Sequence, residues 1–110
     1  MTVSQVHSEL VAIAEKSGRH FPTKTTIDGK YYYVTVLEPR GNGLVVMDIS
    51  EEYDDTAGVI NDLGRYWETF DAICMVEVNG KLHPIQAILM DTQNFNNVLG
   101  WEKSVFFDLQ

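Results

Sequence analysis

The chain has 110 residues, of which 45% are hydrophobic, and it carries 16 acids against 8 bases for a net charge of -8. That length is one domain, residues 1–110, able to build one real core without a metal or disulfide staple. The acidic balance opposes contact with nucleic-acid phosphates, and no apolar run approaches the length of a membrane span, so no nucleic acid and no membrane is expected as a partner.

Cys74 is the single cysteine, so an intrachain disulfide is excluded and a reducing compartment is expected. The first eighteen residues carry Glu9 and Glu15 and lack the positive start and unbroken apolar run of a signal peptide. The expectation is a soluble, cytoplasmic protein.

The first predicted element is a helix over 3–17. Val3, Val6, Leu10, Ile13 and Ala14 recur at helical spacing. Thr2 and Gln5 form a capping box at its start, and Gly18 follows its end.

The dipeptides Asp28-Gly29 and Asn79-Gly80 then predict two β-hairpins, because a type I′ turn needs positive φ at both central positions. The first turn sets Ile27 opposite Lys30 and Thr25 opposite Tyr32. It places Lys24, Thr26, Tyr31, Tyr33 and Thr35 on a face that reads as solvated. In these registers Pro22 falls opposite Thr35 and Pro84 opposite Met75, both at non-hydrogen-bonded positions. Each proline's missing N–H then faces away from its hairpin partner, so both outer strands are expected to be sheet edges there.

Between the hairpins, residues 39–43 read as a turn, followed by a strand over 44–50. A second helix is expected over 55–69, with Val59, Ile60, Leu63, Trp67 and Phe70 as its core stripe and Asp54 and Asp55 at its positive end. Gly58 and Gly64 weaken it, and a kink or an early end near Gly64 is consistent with them. Strands over 72–78 and 81–90 follow, with apolar side chains on both faces, which implies that both faces are covered. A polar loop over 91–98 and a last strand over 104–109 complete the chain.

The fold class is therefore α+β: an antiparallel sheet of about six strands built on two hairpins and packed by two helices, in the order α-β-β-β-α-β-β-(β). That order, with the small size and acidic balance, resembles type III secretion chaperones over roughly residues 3–90. The strand-like tail Ser104–Leu109 departs from their helical end.

Half of the acids (Asp48, Glu51, Glu52, Asp54, Asp55, Asp62, Glu68 and Asp71) fall between residues 48 and 71, answered there only by Arg65. Such an acidic surface raises the encounter rate with a basic protein partner. Its candidate residues are Glu51, Glu52, Asp54, Asp55 and Asp62. Tyr31 and Tyr33 form a candidate aromatic contact surface, since tyrosine is enriched at protein interfaces.

The histidines 7, 20 and 83 lack metal-ligand spacing, and the acids after Asp48 fail the EF-hand pattern because Tyr53 stands where it needs glycine. Cys74 and His83 share a hairpin face diagonally, but Cys74 sits in an apolar run and reads as a buried, inert thiol. No catalytic residue, metal site or cofactor is assigned.

The expected function is a small acidic, non-enzymatic interaction module in a chaperone-like, toxin-neutralising or inhibitor role, with a homodimer expected from the two-faced apolar strands. The alternatives are a small-molecule-binding domain or enzyme with a pocket lined by Tyr32, Trp67 and Phe70, and a nucleic-acid mimic whose carboxylates copy phosphate spacing.

Overall fold

A computed structural model describes residues 1–52, 54–91 and 103–110, with the backbone alone at 37 and 38. Helix α1 (Val3–Ser17) begins at the capping box expected of it. The Thr2 side chain accepts from the Gln5 N–H, and the Gln5 side chain accepts from the Thr2 N–H. Val3, Val6, Leu10 and Ala14 form its buried stripe.

Strands β1 (Thr23–Ile27) and β2 (Lys30–Gly41) pair through the Asp28-Gly29 turn in the expected register, Ile27 opposite Lys30 and Thr25 opposite Tyr32. β2 then pairs with β3 (Leu44–Ser50). The turn expected over 39–43 is tighter than that. Only Asn42 and Gly43 lie in it, at φ 52° and 71°, and a register shift at Pro39 lets β2 run on to Gly41. Asn42-Gly43 is thus a third turn of the same kind, and the fold is built on three hairpins rather than two.

Helix α2 (Thr56–Gly64) ends at Gly64, and a short 3-10 turn at Trp67–Thr69 follows. The helix expected to reach residue 69 is therefore shorter. Val59, Ile60 and Leu63 are buried, Phe70 is half-buried and Trp67 is 68% exposed, so Trp67 leaves the expected core stripe.

Strands β4 (Ile73–Val78) and β5 (Lys81–Asp91) pair through Asn79-Gly80 with Met75 opposite Pro84, as expected. β6 (Ser104–Leu109) forms the strand expected at the end. The expected loop over 91–98 lies, from residue 92 on, outside the described residues.

The six strands close into a barrel in the order β1-β2-β3-β4-β5-β6. The sheet is mixed, which corrects the expectation of an antiparallel one. β3 runs parallel to β4, because α2 carries the chain across between them, and β6 runs parallel to β1. Closure also removes the expected edges. Pro22 stands one residue before β1, where its carbonyl accepts from Val105, and Pro84 lies at the end of the β5–β6 ladder, where its carbonyl accepts from Gln110. Each proline sits where a ladder stops, so its missing donor is not required.

The mixed apolar faces of β5 have a different cause from covering on both sides. A register shift between Ile85 and Ala87 changes the alternation, so Ile85 and Ile88 both reach the core although three residues apart. Leu89 on β5 and Ile73 on β4 stay 45% and 44% exposed. The barrel interior and the buried stripes of α1 and α2 form one hydrophobic cluster, which includes Val34, Met47, Val76 and Phe107.

The hairpin turns yield a direct test. A Cβ added at Gly29 meets no atom within 4 Å, so a substitution there costs backbone strain alone. Gly29→Val is expected to lower stability by about 1–2 kcal/mol, the cost of a β-branched residue at positive φ. Chemical denaturation checks this, and a variant as stable as the wild type would contradict the turn type.

Candidate functional site

The acidic stretch lies where β3 ends and α2 begins, and its carboxylates have different duties. Asp55 is the N-cap of α2: its side chain accepts from the Gly58 N–H at 2.8 Å and lies 3.1 Å from His20 Nδ1. The hydrogen bond from Gly58, and then the His20 contact, hold its carboxyl below the usual range. The Asp54 carboxylate accepts from the Asp55 N–H at 2.9 Å. A Cβ at residue 58 would collide with that same carboxylate, which gives Gly58 a packing reason inside the helix.

Burial raises the Asp54 pKa, and the neighbouring charges of Asp62 and Asp55 raise it further. Asp62 lies 3.6 Å from Arg65, which is 77% exposed, so that pair contributes little. Glu51 and Glu52 are exposed and enter no ion pair among the described residues. Asp54 and Asp55 thus stand at the start of α2, Asp62 lies in its last turn and within electrostatic reach of Asp54, and Glu51 and Glu52 lie on the segment leading into the helix.

Tyr31 and Tyr33 are half-buried on the outer face of β2, where Tyr33 is opposite Ser50 of β3. A groove of about 220 Å3 is lined by Lys30, Tyr31, Tyr32, Tyr33, Ser50 and Glu51. It joins the candidate aromatic surface to the first of the candidate acids. The sequence separates these groups by about twenty residues, and the β2–β3 register brings them together.

The outer face of β1 is not solvated as expected, because Lys24 is 1% exposed. The cause is β6, which pairs with β1 and sets Phe106 beside Lys24. The ammonium lies 4.5 Å from the Tyr31 ring centroid and 4.0 Å from the Asp91 carboxylate. Burial brings its pKa down to about 8, against the opposing pull of Asp91. On the neighbouring surface Arg40 donates two hydrogen bonds to Glu77, at 2.8 and 3.0 Å. The hairpin register sets Lys24 beside Tyr31, but nothing in the sequence points to Asp91 as its partner, 67 residues on, or to Glu77 as that of Arg40, 37 residues on.

The chemistry-bearing residues do not converge. Cys74 is fully buried, and burial pushes its thiol up to about 12, which suppresses the thiolate a nucleophile needs. His7 packs against Phe70 with ring centroids 5.4 Å apart. His83 lines a hollow of about 330 Å3 with Ile27, Asp28, Val78, Asn79 and Lys81, where the two outer hairpin turns meet. Its Nδ1 is 2.9 Å from the Gln110 backbone oxygen, which can only accept, so the neutral ring keeps Nε2 as an acceptor.

Among the described residues Tyr32 lines the tyrosine groove, Phe70 packs on His7, and Trp67 faces solvent, so the three are engaged in different places. Among the described residues no group of three His, Cys, Asp or Glu side chains is placed to hold a metal ion, and no helix is long and apolar enough to cross a membrane. A scan against protein-family models and searches of curated proteins and of solved structures each return no match to this chain.

The buried lysine predicts a particular pH dependence. Its folded pKa of about 8 lies below the ordinary 10.5, so between those values the unfolded chain holds a proton that the folded chain has released. Stability contributed by this site therefore rises with pH across that window and is flat below it. Compared with Lys24→Met, the wild type is expected to gain about 1–3 kcal/mol from pH 7 to pH 10, one pKa unit being worth about 1.4 kcal/mol. Denaturant titrations of both proteins check this; parallel curves would show that Lys24 titrates like an exposed lysine.

Proposed function

We propose that this chain is a non-enzymatic interaction module that binds a basic protein partner through the acidic surface at the start of α2. The supporting observation is that carboxylates crowd there while the nearby bases are few and weakly placed. Glu51 and Glu52 face solvent without an ion pair among the described residues, and the Asp54 pKa is raised partly by neighbouring acids. A cationic partner would relieve that crowding and gain rate from it, which is what such surfaces contribute to association. Asp55 is tied to the helix, so its part in recognition is electrostatic rather than by direct contact.

Changing Glu51 and Glu52 to Gln, and Asp54 and Asp55 to Asn, removes charge while keeping the hydrogen-bond acceptors. Asn caps a helix about as well as Asp, so stability is expected to hold within about 0.5 kcal/mol. Association with an oligolysine probe, followed at low and moderate salt, is expected to slow in this variant and to lose most of its salt dependence. Unchanged association with a lowered melting temperature would mean that these acids serve only the helix start.

Self-association belongs to the same proposal. Ile73 and Leu89 remain exposed on the barrel's outer surface and Trp67 on the turn after α2, and apolar side chains of that size favour covering. A homodimer is expected by light scattering at high micromolar concentration, and a monomer throughout that range would contradict it.

The hollow at the paired hairpin turns favours a second reading, a small-molecule site. It gathers the Asp28, Asn79, Lys81 and His83 side chains over Ile27 and Val78, and its volume of about 330 Å3 is near the lower end of ligand pockets.

A further inference from the structure

We propose that the groove between β2 and β3 takes an arginine side chain of the basic partner, an inference that rests on the acidic-surface proposal and narrows it. The groove is lined by Tyr31, Tyr32, Tyr33, Ser50, Glu51 and Lys30, and its volume of about 220 Å3 is below the range of drug-sized ligand pockets. That size suits a single long side chain better than a metabolite or a folded element.

The walls supply what a guanidinium needs. Tyrosine rings offer faces on which a planar cation stacks, and the Glu51 carboxylate can accept from it in a forked pair. Ser50 adds a hydroxyl that also acts as an acceptor, here to the Glu52 N–H at 3.0 Å. Glu51 is exposed, so an entering charge meets it without prior displacement of a buried pair.

The strand itself shows the chemistry at work. The Lys24 ammonium is 4.5 Å from the Tyr31 ring centroid, and the Lys30 ammonium is 5.6 Å from that of Tyr32. β2 therefore already seats cations on its rings from within the chain. Arginine is the better guest than lysine because it stacks flat, is less strongly hydrated and pairs with a carboxylate through two N–H groups at once.

Lys30 is the opposing element. It lines the same groove, and its charge repels an incoming cation. Its position over Tyr32 marks a place that a guest guanidinium would compete for, so removing it should strengthen binding.

The test compares oligoarginine with oligolysine of equal length, by titration calorimetry on the intact chain. The acidic surface alone binds both peptides in a salt-dependent way. The groove adds a preference for arginine, expected at about tenfold, the scale of one charge-assisted contact. Tyr33→Ala should erase the preference while leaving oligolysine binding within about twofold. Glu51→Gln, which also removes one charge of the acidic surface, should weaken both peptides and still erase the preference, because oligoarginine loses more. Lys30→Gln should enlarge it.

Glu51→Gln changes only an exposed side chain, so it reports even if the tyrosine variant folds poorly. Equal binding of the two peptides by the wild type would overturn the groove and leave the acidic surface standing. A preference that survives both groove variants would place it elsewhere and also overturn the proposal. Binding of neither peptide would overturn both proposals.

Discussion

The contact on which the molecule depends is the parallel pairing of its last strand with its first. β6 meets β1 at Thr23–Val105 and Lys24–Phe106, and the buried Thr25 hydroxyl fastens the seam while that of Thr23 ties β1 to β2 on its other side. Thr25 Oγ1 donates to the Phe107 carbonyl at 2.7 Å, and Thr23 Oγ1 donates to that of Val34 at 2.7 Å. Buried polar groups are costly unless satisfied, so these threonines fit only where a strand lies on either side. Without the seam, β1 and β6 would be edges offering unpaired backbone groups to any other strand.

Closure also sorts the side chains. Inside, Val105 and Phe107 complete the barrel core that α1 and α2 share. Outside, Phe106 comes to lie beside Lys24, which becomes a buried cation held between Tyr31 and Asp91. The same wall fixes β2 against β3 and so places Tyr31 and Tyr33 next to Ser50 and Glu51. With its edges used up, the closed barrel has no free strand to pair and would offer a partner its side chains instead. That agrees with the concentration of unspent acids at one end of the β3–α2 connection.

Local chemistry was legible and global chemistry was not. The capping box at Thr2, the positive-φ turns at Asp28-Gly29 and Asn79-Gly80, and the pairings that follow from a two-residue loop all depend on neighbours in sequence, and each appears in the structure. Asn42-Gly43 carries the same turn signal, but Pro39 upstream of it suggests that the strand stops early; a register shift at Pro39 lets it continue. The parallel pairs β3–β4 and β1–β6 left no such mark, because a parallel register is set by a long connection and not by a turn. From the unread β1–β6 pair follow the mistaken edge at Pro22 and the mistaken solvation of Lys24; the mistaken edge at Pro84 comes from the antiparallel β5–β6 pair, which no two-residue turn announces either. For the candidate site, the sequence locates the acids and the tyrosines but not their shared groove, which exists only once β2 and β3 are in register. It sets Asp54 and Asp55 at the helix start, but does not show that Asp55 rather than Asp54 caps α2.

The central claim is that the barrel is closed and so presents side-chain surfaces rather than strand edges. Native-state amide exchange at the β1–β6 seam tests this most directly. The Val105 N–H donates to the Pro22 carbonyl at 2.8 Å. It and its neighbours on β6 should exchange only through global unfolding, as slowly as the amides of Val34 and Met47 in the middle of the sheet. Exchange at Val105 orders of magnitude faster than at Val34 and Met47 would show an open seam, and recognition by strand addition would then replace the acidic surface as the favoured mode.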